Sequence, residues 1–146
     1  MSQDAKTAQL AELALFAGAS RRQLERIASL CTEVSVSSGT VLTREGGPAH
    51  EFFVIEQGEV EVTVGGKQLA TFGPGDFFGE LALLDGSGTR TATVTARTDA
   101  TLLVMTTAEF TGLLDSEPQV AVRMLPVIGR RVRATRTAGE SAPPVL

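Results

Sequence analysis

The most informative segment of this chain reads Phe78-Gly79-Glu80-Leu81-Ala82-Leu83-Leu84-Asp85-Gly86-Ser87-Gly88-Thr89-Arg90-Thr91-Ala92. It holds a carboxylate and a guanidinium on either side of a glycine-containing turn. Residues 80–84 are good helix formers, so we expect a short helix that begins near Glu80. The unpaired N–H groups of its first turn, those of Leu81 and Ala82, would favour an anion.

Arg90 can add a bidentate guanidinium to the same anion, and one arginine suits a single phosphate charge. Glu80 would repel that phosphate unless a hydroxyl lay between them, and a ribose hydroxyl fits this role. The residue types alone support an alternative, in which Glu80 favours the helix dipole and Arg90 forms a weak surface ion pair with Glu80 or Asp85. A triphosphate site is not indicated, because neither Gly-x4-Gly-Lys-Ser/Thr nor Gly-x-Gly-x-x-Gly occurs.

Length and composition indicate one globular domain. The chain has 146 residues, of which 42% are hydrophobic and 21% charged, and no run approaches the roughly 18 apolar residues of a membrane span. A polar N-terminus and a single cysteine, Cys31, predict a cytoplasmic location. The net charge of −4 argues against a surface that binds nucleic acid or anionic lipid as a whole, so any anion site must be local.

The spacing of apolar residues predicts helices at both ends and strands between them. The first 31 residues show helical spacing, and Ser20 to Gln23 form a capping box. Glycine or proline separates many of the short β-runs that follow, and Val64-Gly65-Gly66-Lys67 predicts a two-residue hairpin. Such strands are typical of a barrel or jelly roll. From the residues we predict seven of them, at 34–36, 40–43, 52–55, 60–64, 69–72, 92–96 and 101–104.

Helical spacing returns after Thr106, which opens a second capping box, and Pro118 begins a last helix. Pro126 lies within this helix, so we expect a kink or break near Leu125. We predict one domain over residues 1–137 and a flexible tail over 138–146. The last helix carries five arginines, interpreted as a solvated face or, alternatively, as a contact for nucleic acid or an acidic partner: Arg123, Arg130, Arg131, Arg133 and Arg136.

The segments 79–83 and 90–94 closely resemble the phosphate-binding cassette of cyclic-nucleotide-binding domains, the family of the bacterial catabolite activator and the kinase regulatory subunit. The resemblance covers roughly residues 10–137 and implies a mainly β fold with flanking helices. That fold is an eight-stranded β-roll (a double-stranded β-helix of jelly-roll type) with N-terminal helices, a short phosphate-binding helix and C-terminal helices. Further landmarks of the family occur in order: Phe16-Ala17-Gly18-Ala19-Ser20, Gly39-Thr40-Val41-Leu42, Arg44-Glu45-Gly46, the segment 53–62, and Gly73-Pro74-Gly75-Asp76-Phe77-Phe78-Gly79.

The resemblance also implies roles for the cassette residues. Glu80 would accept a hydrogen bond from the ribose 2′-hydroxyl, and Arg90 would pair with the cyclic phosphate. Backbone N–H groups would complete the phosphate cradle. The hydroxyl of Thr91 can bond either the phosphate or the amino group of guanine. The residues assigned to the cradle are Leu81, Ala82 and Thr91, and Gly79 is a further predicted ligand-binding residue.

Alignment with the same family implies that Val62, Leu69 and Ala70 contact the purine. Their residue types are equally compatible with an ordinary barrel core. Thr135 aligns with a threonine that contacts the adenine amino group in the catabolite activator. This chain has Arg136 where that protein has a second hydroxyl residue.

We therefore favour a regulatory or sensor module that binds a 3′,5′-cyclic nucleotide and signals through movement of the C-terminal helix. Cyclic AMP is the favoured ligand and cyclic GMP stays open. A metalloenzyme is disfavoured because His50 is the only histidine, and we predict no catalytic residue, metal or cofactor. The alternative is a degenerate β-roll that serves as a protein-interaction scaffold and binds no nucleotide.

The expected context is a stand-alone domain without a DNA-binding or catalytic domain. We expect no direct DNA binding and no membrane insertion. The downstream protein partner is unknown, and a homodimer through the C-terminal helix is left open.

Overall fold

The computed structural model describes the backbone of residues 3–138 and the side chains of residues 6–134. Three helical segments come first, then eight strands with one short helix among them, and two helices at the end. The helices are α1 (Gln3–Ala11), a 3₁₀ helix (Ala14–Phe16), α2 (Arg21–Leu30), α3 (Glu80–Leu84), α4 (Thr107–Ser116) and α5 (Pro118–Ala138). The strands are β1 (Thr32–Val36), β2 (Val41–Thr43), β3 (Glu51–Gln57), β4 (Val60–Val64), β5 (Lys67–Phe72), β6 (Phe77–Phe78), β7 (Thr93–Ala96) and β8 (Ala100–Thr106).

The eight strands form two four-stranded antiparallel sheets, in the orders β1-β8-β3-β6 and β2-β7-β4-β5. This confirms the predicted β-roll with flanking helices. The seven strands predicted from the residues are all present, and the eighth is β6. Only two residues long, β6 pairs with β3 and carries the chain directly into Gly79 and α3.

Strand β3 shows how the core is divided. Successive side chains of a strand point to opposite faces, and Phe52 and Val54 join a cluster that includes the helices, whereas Phe53 and Ile55 join a cluster between the two sheets. The ring of Phe52 stacks on Phe110 of α4 with centroids 4.3 Å apart. The sheet that carries β3 and β6 is therefore buried on both faces.

Local sequence signals fix several element ends as predicted. Both capping boxes are present, at Ser20 with Gln23 and at Thr106 with Glu109. The hairpin between β4 and β5 has two glycines in its turn, and both have positive φ angles (60° and 80°), a conformation that glycine adopts without steric cost.

Of the kink or break predicted near Leu125, the break does not occur, because α5 continues without interruption from Pro118 to Ala138 with Pro126 inside it; the kink stays a prediction. Val120 and Met124 are buried on its inner face before the proline, and Arg131 is held by side-chain contacts after it. Val122, whose carbonyl loses its partner at Pro126, is 64% exposed, so water can hydrogen-bond that carbonyl. Tertiary contacts on both sides thus maintain the helix.

The proposed domain boundary at residue 137 falls within the last turn of α5. Of the predicted tail, residues 139–146 lie outside the described part of the chain. Among the described residues, no helix combines the length and apolar character that a membrane crossing requires.

Candidate functional site

A cavity of about 340 Å³ lies between the cassette (residues 79–91), the sheet that contains β4 and β5, and α5. Its volume falls within the range of roughly 300–1,000 Å³ that is usual for small-ligand sites. Nine of the ten predicted site residues line it: Val62, Leu69, Ala70, Gly79, Glu80, Leu81, Ala82, Arg90 and Thr91. The tenth, Thr135, belongs to α5, and its side chain lies outside the described residues.

Gly79 sets the geometry of the cassette. It is the N-terminal cap of α3 and has a φ of 91°, a left-handed conformation that disfavours other residues. A Cβ atom here would lie 2.8 Å from Nη1 of Arg90 and 3.0 Å from the carbonyl oxygen of Glu51. Glycine therefore allows the chain to enter α3 while the Arg90 guanidinium packs directly against it.

Arg90 is buried, with 7% of its surface exposed, and its guanidinium binds backbone carbonyls. Nη1 donates to the oxygen of Gly79 (3.0 Å) and Nη2 to the oxygen of Glu51 (2.8 Å). Its own backbone is fixed by Gly46 and Gly47 through hydrogen bonds of 2.9 and 2.8 Å. Burial lowers the pKa of Arg90 from its ordinary value, against the opposing influence of Glu51 and Glu80.

No ion pair found among the described residues includes Arg90. The surface ion pair with Glu80 or Asp85, considered from the sequence, is therefore not formed. Two of the five N–H bonds of a guanidinium go to carbonyl oxygens, and the remaining ones are left for an anion. A buried cation normally needs such a partner.

Glu80 is the second buried charge, with 2% of its surface exposed. Its Oε1 accepts a hydrogen bond of 2.8 Å from Nη1 of Arg131 on α5. The Arg131 guanidinium also lies between two rings, 4.4 Å from the centroid of Phe72 and 4.5 Å from that of Phe77. A single arginine of α5 thus pairs with the cassette carboxylate and covers the end of β5.

This role of Arg131 was not predicted from the sequence, in which the five arginines of the last helix were interpreted as one set. Arg131 follows Val127 and Ile128 by four and three residues, and both pack against the core. That helical spacing was the available signal for an inward side chain. Arg123, Arg130 and Arg133 are exposed, although Nη1 of Arg123 donates to the carbonyl of Leu15 (3.2 Å).

The charges around the cavity favour a singly charged anion. Three guanidinium groups, those of Arg90, Arg130 and Arg131, and two carboxylates, those of Glu80 and Asp76, line it. Its formal charge is therefore +1, although the chain as a whole carries −4. Positive charge is therefore concentrated locally at this cavity.

A second cavity, of about 550 Å³, is larger but differs in chemistry. Glu12, Glu33 and Glu56 line it and no arginine or lysine does. Burial, together with the neighbouring Glu33 carboxyl, raises the pKa of Glu56 to about 7. Within the described part of the chain, no group of three or more His, Cys, Asp or Glu residues is arranged to hold a metal ion. The first cavity is therefore the more favourable of the two for an anion.

Comparisons with known proteins show which family the chain resembles. A family model described as the cyclic nucleotide-binding domain matches residues 33–117. The Pycsar effector protein XpPycTIR of Xanthomonas perforans is 34% identical over 115 residues, which cover 78% of this chain and 38% of that protein. The cAMP-dependent protein kinase regulatory subunit of Schizosaccharomyces pombe is 35% identical over 106 residues, 72% of this chain and 26% of that protein. The chain thus spans less than half the length of these relatives.

Solved structures support the same fold. The cAMP-bound structure of PfPKA-R superposes with a TM-score of 0.81 at 22% identity, covering 94% of this chain and 47% of the other. The Thermus thermophilus catabolite activator protein superposes with a TM-score of 0.72 at 27% identity, covering 86% and 61%.

Proposed function

The chain belongs to the family of cyclic nucleotide-binding domains, and we propose that it is a regulatory or sensor module whose cavity binds a 3′,5′-cyclic nucleotide. One observation carries the proposal. The Arg90 guanidinium is buried beside the first turn of α3, and carbonyl oxygens rather than a carboxylate are its partners. A cyclic phosphate has the single negative charge that this arrangement requires.

The phosphate would bind between Arg90 and the backbone of the cassette. The free N–H bonds of Arg90 supply charge-assisted hydrogen bonds. The N–H groups of Leu81, Ala82 and Thr91 complete the cradle, as the family resemblance implies. All four residues line one cavity, which supports this assignment.

The ribose would bind at Glu80. Arg131 uses Oε1 of the carboxylate and leaves Oε2 to accept from the 2′-hydroxyl. Because Arg131 compensates the charge of Glu80, the carboxylate can lie near a phosphate without repelling it strongly. We therefore propose that Arg131 positions Glu80, in addition to the roles expected from the sequence.

Cyclic AMP is the first ligand to test, because the names of the S. pombe relative and of PfPKA-R refer to it. The hydroxyl of Thr91 keeps cyclic GMP open. Val62, Leu69 and Ala70 offer the purine an apolar wall, which would accept either base.

Signalling would proceed through α5, since this helix supplies Arg131 to the cavity. Ligand binding at Glu80 then changes the contacts that hold α5, and a downstream protein would detect its position. Amide hydrogen exchange over residues 119–136, with and without ligand, measures this movement, and identical exchange in both states would refute it.

The exposed Val122 and Leu125 (64% and 62%) on the outer side of α5 favour a homodimer through this helix. Analytical ultracentrifugation tests the homodimer, and a monomer at high concentration would contradict it. A cytoplasmic location, a binding rather than catalytic role and no direct contact with DNA stay predictions.

Calorimetric titration with cyclic AMP, cyclic GMP and linear AMP tests the proposed function. We expect the wild type to bind a cyclic nucleotide and Arg90→Ala to weaken binding by about ten- to hundredfold or more, since each charge-assisted contact contributes roughly 1.5–3 kcal/mol. Arg97→Ala is the matched control, because Arg97 is exposed and does not line the cavity. Thermal unfolding of each variant shows that it is folded. No heat with any nucleotide in folded wild type would favour the scaffold alternative.

A further inference from the structure

We infer that Arg130 selects the base of the bound nucleotide and favours a 6-oxopurine, as in cyclic GMP, over the 6-aminopurine of cyclic AMP. The inference rests on the proposed function, because it concerns the same cavity. It departs from the preference for cyclic AMP that the sequence suggested.

Among the residues whose side chains are described, four polar ones line the cavity outside the cassette: Thr43, Asp76, Arg130 and Arg131. Three of them already have partners. The Thr43 hydroxyl donates to the carbonyl of Ala92 (2.9 Å) and accepts from the N–H of Val94 (3.1 Å).

Asp76 accepts from the N–H of Gly73 (2.9 Å), and Arg131 pairs with Glu80. For Arg130, which is exposed on α5, the structure gives no hydrogen bond or ion pair within the described residues. Among these four side chains, Arg130 is therefore the one whose N–H bonds have no partner within the described residues.

The position of the base follows from the proposed positions of the phosphate and the ribose. The cassette retains the phosphate and, through Glu80 and Arg131, the ribose. The base then extends between the apolar wall of Val62, Leu69 and Ala70 and the segment of α5 from Val127 to Ala134. The wall offers no hydrogen-bonding side chain, so the inference assigns recognition of the purine edge to α5.

The hydrogen-bonding capacity of arginine determines which purine suits this edge. A guanidinium has donors and no acceptor. Guanine presents two acceptors side by side, N7 and O6, whereas adenine presents the N7 acceptor beside an N6 amino donor. Arg130 therefore satisfies both atoms of guanine, and it meets the adenine amino group donor to donor.

Three cyclic nucleotides separate this role from that of Thr91. Cyclic GMP, cyclic IMP and cyclic AMP are titrated by calorimetry into the wild type. Cyclic IMP has the O6 and N7 acceptors of guanine but no 2-amino group, so Thr91 cannot recognise it through that group. We expect both oxopurine nucleotides to bind at least about fivefold more tightly than cyclic AMP, the low end of what a bidentate contact provides, because Arg130 is exposed.

Two substitutions then test the residue itself. Arg130→Met should bring the three affinities to within about twofold of one another. Arg130→Gln should shift the preference to cyclic AMP, because an amide offers a donor and an acceptor in the pattern that adenine requires. Arg133→Gln is the matched control on the same helix, since Arg133 is exposed and does not line the cavity, and it should leave the ratios unchanged.

The outcomes discriminate clearly. Equal binding of cyclic AMP and the oxopurines by the wild type overturns the inference, as does an unchanged ratio in Arg130→Met. An equal loss for all three nucleotides would assign Arg130 to the phosphate or ribose instead. Tight binding of cyclic GMP without cyclic IMP would assign selection to the 2-amino group. No binding of any cyclic nucleotide by folded wild type refutes the proposed function itself.

Discussion

The ion pair between Glu80 and Arg131 is expected to stabilise the domain far more than a surface pair does. Glu80 is 2% exposed, and the Arg131 side chain 16%. Removing one partner of a buried ion pair costs about 3–5 kcal/mol, because the other charge is left buried and unpaired. Arg131→Met keeps much of the apolar side chain and removes the charge. We expect a loss near the low end, about 3 kcal/mol, because Arg131 is partly exposed.

Urea unfolding without ligand measures this loss. With a typical denaturant dependence of about 1–3 kcal/mol per molar urea, the midpoint should fall by about 1 M or more. Glu80→Gln should cost less, because the remaining Arg131 charge is partly hydrated and still lies against the rings of Phe72 and Phe77. The double variant leaves no unpaired charge, so the two losses should not add.

A double-mutant cycle isolates the interaction. We expect a coupling energy of about 2 kcal/mol, compared with about 0.3–0.5 kcal/mol for an exposed helical pair. Arg21 and Glu25, an exposed pair one turn apart on α2, supply the matched control cycle. A coupling for Glu80 and Arg131 no larger than that of the control pair would refute the reasoning.

Two further predictions follow from the same structure. Gly79→Ala should weaken cyclic nucleotide binding and stability together. The left-handed backbone (φ 91°) alone should cost about 1–3 kcal/mol, and the new Cβ would lie 2.8 Å from Nη1 of Arg90. Calorimetry measures the affinity and urea unfolding the stability, and unchanged affinity would contradict the prediction. Burial and the adjacent Glu33 carboxyl raise the pKa of Glu56 from 4.5 to about 7, so the folded state holds the proton more tightly than the unfolded state. The free energy of unfolding should therefore fall as the pH rises from about 5 to 8, and Glu56→Gln should remove this slope; an equal slope in the variant would show that another group is responsible.

The parts of the cassette that sequence predicted are those that local chemistry determines. A glycine before a run of helix formers specifies the start of α3. Glu80 and Arg90 were predicted to lie near each other because only a short segment with a glycine-containing turn separates them in the sequence. The partners of these side chains could not be predicted in the same way. Arg90 binds the carbonyl of Glu51, 39 residues away, and Glu80 binds Arg131, 51 residues away. Such contacts depend on how the sheets and α5 come together.

The absence of a break at Pro126 has a related cause. The missing hydrogen bond of a proline is a local cost of about 3 kcal/mol, and it predicts a break when it is considered alone. The burial of Val120 and Met124 before the proline and the Arg131 contacts after it hold the helix on both sides. The arginines of α5 are also not distinguished by composition, which does not show that Arg133 is exposed whereas Arg131 pairs with the buried Glu80.

The two buried charges of the cassette, Glu80 and Arg90, have different partners, and this difference couples the ligand to α5. Glu80 pairs with Arg131 of α5, while Arg90 binds carbonyls of the cassette and of β3. Under the proposed function, a phosphate at Arg90 adds a negative charge close to Glu80, which makes the compensating Arg131 more favourable. The position of α5 and the affinity for the phosphate are then coupled, and the coupling is reciprocal. A ligand that binds better when Arg131 of α5 pairs with Glu80 must therefore also stabilise α5 in that position. Ligand binding in the cassette can in this way change the position of α5 without a contact between α5 and the phosphate.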